Sequence, residues 1–150
     1  MTLVDSIQKK TDFLESAVAA LGLGDRVAVR RDRAERLAQT RDRYDLATLR
    51  AVAAATTCAQ YALPLLAPGG IAILYRGHWK TEEEASLGPI LAQWSAELVA
   101  IEAFTTPHSE GVRHCVYLQA SPEPRQASQA KPILKPKITP KYKTTPKNHT

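Results

Sequence analysis

Arg50 closes the mostly apolar segment Tyr44–Arg50, YDLATLR. A guanidinium at the end of such a segment needs a counter-charge, either a neighbouring acid such as Asp45 or an anionic ligand. Asp5 closes TLVD in the same way. A carboxylate there either caps the following helix or accepts hydrogen bonds from ligand hydroxyls. Arg76 and Trp79 follow a third apolar segment, IAILY at 71–75. A guanidinium plane and an indole at that place suit a phosphate or an unpaired base, or else Trp79 closes an edge of the core. His108 and His114 have no partner at metal-ligand spacing, and Cys58 and Cys115 stand far apart. No metal site or disulfide framework is therefore expected.

The elements that must hold these residues alternate along the chain. TLVD (2–5) reads as a strand. Ser6 then caps a helix with apolar residues Ile7, Phe13, Leu14, Ala17, Val18 and Leu21 at helical spacing, stopped by Gly22 and Gly24. Val27–Arg30 is a short strand, 33–39 a short helix and Tyr44–Leu49 a strand. Thr56–Leu66 is a helix, and Pro68-Gly69-Gly70 a turn that launches the strand Ile71–Tyr75. Thr81 with Glu82, Glu83 and Glu84 marks a helix start, where acids favour the dipole. Leu98–Phe104 and Val112–Gln119 form an antiparallel hairpin. Strand–helix alternation predicts a parallel α/β sheet, and an open sheet of this kind binds ligands at the carboxyl ends of its strands.

Charge divides the chain in two. Residues 1–120 carry 13 Lys/Arg and 14 Asp/Glu, whereas residues 121–150 carry 7 and 1 with six prolines. The first part predicts one domain with a near-neutral body. The second predicts an extended, disordered Lys/Pro-rich tail that attracts phosphates. The basic run Arg30, Arg31, Arg33 and Arg36 is interleaved with Asp32 and Glu35 and reads as a solvated face. There is no basic, apolar leader and no apolar run of membrane-spanning length, so a soluble cytoplasmic monomer is expected, away from membranes.

Four strings in order, TLVDSIQKKTDFLESAVAALGL, DRAERLA, YDLATLRAVAAATTCAQYALPLLAPGG and RHCVYL, resemble the RsmG (GidB) family of bacterial 16S ribosomal RNA guanine-N7 methyltransferases. The resemblance covers nearly all of residues 2–119. It implies a Rossmann-like class I methyltransferase fold, S-adenosylmethionine (SAM) as methyl donor, and 16S ribosomal RNA or the small ribosomal subunit as partner. It places Ala34 and Glu35 against the adenosyl part of SAM, and Arg50 at a cofactor-contacting arginine. Asp5 falls at the acid that bonds ribose hydroxyls. Arg76 stands where the family usually has lysine; with Trp79 it is a candidate contact to the RNA, on the stacking argument above. Guanine N7 is already a lone-pair nucleophile, so the resemblance implies positioning rather than a catalytic base.

The family's glycine-rich loop and the strand before it would lie upstream of Met1. In the family's strand order, 3-2-1-4-5-7-6, that strand is central, between TLVD and YDLATL. The expectation is therefore a partial methyltransferase domain over 1–120, N-terminally truncated, with two strands deprived of a ladder partner and weakened SAM binding. The alternative is a non-catalytic homologue or gene fragment that at most binds RNA through its basic tail. A Rossmann nucleotide-binding module is disfavoured, because its glycine fingerprint is equally missing.

Overall fold

The computed structural model describes residues 1–37, 39, 43–107 and 110–123. Most of the Lys/Pro-rich segment, and His108, lie outside the described residues. Six strands and four α-helices alternate as β1 (Thr2–Asp5), α1 (Gln8–Ala20), β2 (Ala28–Arg31), α2 (Ala34–Leu37), β3 (Tyr44–Arg50), α3 (Ala55–Ala62), β4 (Leu66–Arg76), α4 (Thr81–Gln93), β5 (Ala96–Thr105) and β6 (Val112–Ala120). They make two sheets. β1 and β2 pair in parallel, and the second sheet runs β3-β4-β6-β5 with only β3–β4 parallel. This is the expected order with no described strand in the central position, between β1 and β3.

The larger sheet owes its stability to register. Ala72 and Leu74 of β4 lie beside Leu118 and Val116 of β6, and these beside Leu98 and Ile101 of β5. Because side chains alternate along a strand, this row forms one face. Helices α3 and α4 cover it with Ala55, Ala59, Ala62, Leu87 and Trp94, and all fully buried residues of this core fall between Ala55 and Ala120. Ala47 and Leu49 extend the same face onto β3, while Leu46, Thr48 and Arg50 point the other way and are exposed.

Several boundaries differ from the sequence expectation for local reasons. Ser6 does not cap α1. Ile7 occupies the cap position, and its N–H donates to Asp5 Oδ1 at 2.9 Å. Helix α1 turns Thr11, Leu14, Ala17 and Val18 toward β1 and β2, leaving Phe13 at 71% and Leu21 at 70% exposure. A two-stranded sheet offers cover for one narrow stripe only. The helix ends as expected: Gly22 adopts φ +64°, and the N–H groups of Gly22 and Leu23 donate back to Ala19 and Val18. Helix α3 stops at Ala62 rather than running to Leu66, because Pro64 cannot continue it and 63–65 tighten into a 3-10 turn.

The Pro-Gly-Gly string is a bulge within β4 rather than a turn before it. Tyr44 pairs with Leu66 and Leu46 with Ile71, so five steps on β4 oppose two on β3. Gly70 lies against backbone there. A Cβ on it would stand 2.9 Å from Tyr44 O and 3.0 Å from Ala67 O. At the other end, Lys80 rather than Thr81 precedes α4, and the three glutamates occupy its first turn as expected.

Candidate functional site

Arg50 reaches the carboxyl end of β3 beside Tyr75 of β4. Ala51, next in the chain, has φ +54°, in the left-handed region that non-glycine residues rarely adopt. Backbone held there is costly and collects at ligand sites. The turn is fastened from below. The Ala53 carbonyl accepts from Arg76 Nη1 at 2.6 Å and lies 3.5 Å from Cys58 Sγ. Burial pushes the Cys58 thiol above its ordinary pKa, the Ala53 carbonyl and Arg76 pulling the other way, so it stays protonated and serves as a weak donor. Arg50 itself has no hydrogen bond or ion pair among the described residues, so Asp45 is not its partner.

Arg50 opens onto a cavity of about 780 Å³ across the carboxyl ends of β3 and β4 and the turn end of the β5–β6 hairpin. Its walls carry Thr48, Arg50, Tyr75, Arg76, Phe104 and Arg113, with three guanidiniums and, among the described lining residues, no acid. Phe104 and Arg113 are directly opposed across the hairpin. Such a cavity takes an anion with an aromatic part: guanidiniums fork onto phosphate or carboxylate oxygens, and exposed rings offer stacking faces.

The structure brings Arg50 and Arg76 together here and leaves the other candidates elsewhere. Arg76 lines the cavity, but Nη1 is held by Ala53 and Nη2 by Glu83 Oε1 at 2.8 Å. It acts first as the brace of the Arg50 turn. Trp79 packs against the core, with its indole N–H buried and unpartnered among the described residues. Asp5 ends β1, with Oδ1 on the Ile7 N–H and Oδ2 3.3 Å from Lys10 Nζ. It therefore holds the turn that enters α1 and keeps further lone pairs on a partly exposed carboxylate. Ala34 and Glu35, half-buried, open α2 just past the end of β2. Glu35 Oε1 accepts from Tyr61 Oη at 3.1 Å, tying α2 to α3.

Sequence reasoning misses Tyr75, Phe104 and Arg113, because no local pattern marks them. The available signal is slight: aromatic and basic residues near the last positions of β4 and β5 and the first of β6, on the same sheet end as Arg50. Only the antiparallel return of β6 puts Arg113 next to β4.

A family model described as GidB, rRNA small subunit methyltransferase G, matches residues 1–113. Among curated proteins, the ribosomal RNA small subunit methyltransferase G of Synechococcus sp. (strain JA-3-3Ab) is 50% identical over 121 residues, 79% of this chain and 46% of that protein. The protein of the same name from Gloeobacter violaceus is 47% identical over 122 residues, 79% of this chain and 48% of that one. The chain thus spans about half the length of the curated relatives it matches. Among solved structures, a SAM-dependent O-methyltransferase from Thermotoga maritima superposes with TM-score 0.58 at 13% identity, over 83% of this chain and 51% of that one. An rRNA methylase from Streptococcus thermophilus gives 0.54 at 16%, over 80% and 72%. These likenesses show the fold: the Rossmann-like class I methyltransferase architecture that the family resemblance implies.

Proposed function

The chain belongs to the GidB family of rRNA small subunit methyltransferases G, and from that premise we propose that its site serves SAM-dependent methylation of N7 of a guanine in 16S ribosomal RNA. The setting is the cytoplasm, with a monomeric protein acting on the small subunit or its RNA. No helix among the described residues is long and apolar enough to cross a membrane.

The observation that carries this reading is Arg50: a guanidinium without a partner among the described residues, on a strained strand-end turn, at the edge of a cavity whose described lining includes no acid. When bound, SAM supplies an electrophilic methyl group on a sulfonium. The residues present fit part of such a ligand. Asp5 and Glu35 end β1 and open α2 with acceptor oxygens suited to ribose hydroxyls, and Arg50 suits a carboxylate. The cavity beyond Arg50 suits the RNA, with Arg113 toward phosphate and Tyr75 or Phe104 toward a base. A lone pair on N7 needs orientation and exclusion of water rather than a base, and a cavity with no titrating acid among its described lining residues is consistent with that.

A second reading is RNA binding without methyl transfer. It is favoured by one fact: residues 121–150 carry 7 Lys/Arg against 1 Asp/Glu, a charge that attracts RNA phosphates with no need of a cofactor. Calorimetry of SAM binding to the folded 150-residue chain, paired with filter binding to 16S ribosomal RNA, separates the two. The first reading expects SAM binding that Arg50→Ala weakens at least about tenfold, about 1.4 kcal/mol. RNA binding with no SAM heat in the unaltered chain would sink it and leave the second.

A further inference from the structure

The acidic start of α4 holds three glutamates in one helical turn, and each of them suits the helix dipole. Their surroundings tell them apart. Glu82 and Glu84 are exposed, with no side-chain hydrogen bond or ion pair among the described residues. Glu83 is half-buried and turns back to β4, where Oε1 accepts from Arg76 Nη2 at 2.8 Å. At side-chain exposures of 20% and 27%, this ion pair is shielded from much of the screening that weakens surface pairs. Both of its ends are anchored. Arg76 pairs with His114 of β6, whose Nδ1 lies 2.8 Å from the Gly77 carbonyl oxygen, and α4 is seated in the core through Leu87.

A guanidinium is a rigid fork, so the acceptor on one nitrogen sets where the others point. With Nη2 on Glu83, Nη1 meets the Ala53 carbonyl at 2.6 Å, just past the strained Ala51. Without Arg76 that carbonyl keeps the Cys58 thiol at 3.5 Å, a weak donor. Arg76 also lines the cavity beside Arg50 and Arg113. Released from Glu83, it would find a better acceptor in an anion entering that cavity than in a neutral carbonyl, because charged acceptors bind about twice as strongly.

We propose that Glu83 is a positioning residue: by holding Arg76 on the Ala53 carbonyl, it keeps the Arg50 turn set and withholds one of the three cavity guanidiniums from incoming anions. Two guanidiniums are left for ligands, and the third serves the chain's own backbone. The consequence for SAM rests on the reading of Arg50 as partner of a ligand carboxylate, whereas the brace does not.

The test compares Glu83→Gln with Glu82→Gln and Glu84→Gln, which remove the same charge from the same turn. Hydrogen exchange of amides 51–58 and a magnetic-resonance titration with inorganic phosphate are read without SAM. Glu83→Gln alone should speed that exchange at least about fivefold and tighten phosphate binding at least about threefold. Glu83→Asp, which keeps the carboxylate, should restore both toward the unaltered values, and adding Arg76→Gln to Glu83→Gln should erase the phosphate gain. Glu83→Gln should also weaken SAM binding at least about fivefold and leave 5′-methylthioadenosine, which lacks the carboxylate, unchanged. Three results would overturn the proposal: Glu83→Gln matching the two controls, faster exchange with no phosphate gain, or a phosphate gain that survives Arg76→Gln. Exchange and phosphate moving as expected while Arg50→Ala leaves SAM binding unchanged would uphold the positioning role and remove the carboxylate reading of Arg50.

Discussion

The four-stranded sheet and the β1–α1–β2 unit are made of similar elements but differ in what they bury. In the larger unit a continuous row of side chains across four strands meets two helices, and Leu74, Leu87, Val116 and Leu118 are wholly enclosed. In the smaller unit Val27 and Thr11 are the buried residues, while Phe13 and Leu21 face solvent. Its Lys10–Asp5 ion pair is exposed and contributes little. A two-stranded sheet under one helix is marginal by itself, whereas four strands and two helices can stand alone. The smaller unit therefore depends on what bridges it to the larger one. Among the described residues these bridges include Tyr44–Thr2 and Tyr61–Glu35.

The contrast can be broken most directly by truncation of side chains on each side of it. Leu74→Ala should cost about 2–5 kcal/mol, a large part of the ~5–15 kcal/mol a domain holds, and Phe13→Ala less than about 0.5 kcal/mol. Urea unfolding measures both, and equal costs would refute the difference. Gly70→Ala tests the seam between β3 and β4. Its new Cβ meets backbone carbonyls, which cannot swing aside, so about 1–3 kcal/mol should be lost, with faster exchange of β3 amides. No change would mean that the bulge is pliable.

The smallest effect sharpens the comparison at the bridge. Tyr61→Phe removes one hydrogen bond, worth about 1 kcal/mol, and should speed exchange in α2 and β2 while leaving β5 and β6 untouched. Burial, and then the bond to Glu35, raises the Tyr61 phenol above its ordinary value of 10.0. The folded state thus holds this proton more tightly than the unfolded one. Its contribution is complete below about pH 10 and is lost as pH rises through the raised value. Alkaline titration of the unaltered chain should reproduce the Phe phenotype, and a pH-independent difference would count against the bridge.

Much of the fold is legible in the amino-acid sequence. The Gly22 stop, the β5–β6 hairpin, the acidic start of α4 and the strand-end positions of Asp5 and Arg50 all follow from backbone sterics and periodicity acting over a few residues. The boundaries that differ reflect local competitions as well: Asp5 holds the Ile7 N–H, so that Ile7 rather than Ser6 is the cap residue, and Pro64 shortens α3. The site is less legible. Arg50 stands out as a cation on an apolar strand, yet nothing near it in sequence reveals that Asp45 leaves it unpaired. Nor does local sequence reveal that Arg76 braces its turn from 23 residues beyond the bonded Ala53.

By itself, then, the sequence determined the elements, their order and the family. Only the tertiary structure decided that Arg113 and Phe104 join Arg50 in one cavity and that Trp79 belongs to the core. The reason is range. Helix and strand preferences are set by near neighbours, whereas side-chain partners arise only when distant segments compete for the same space.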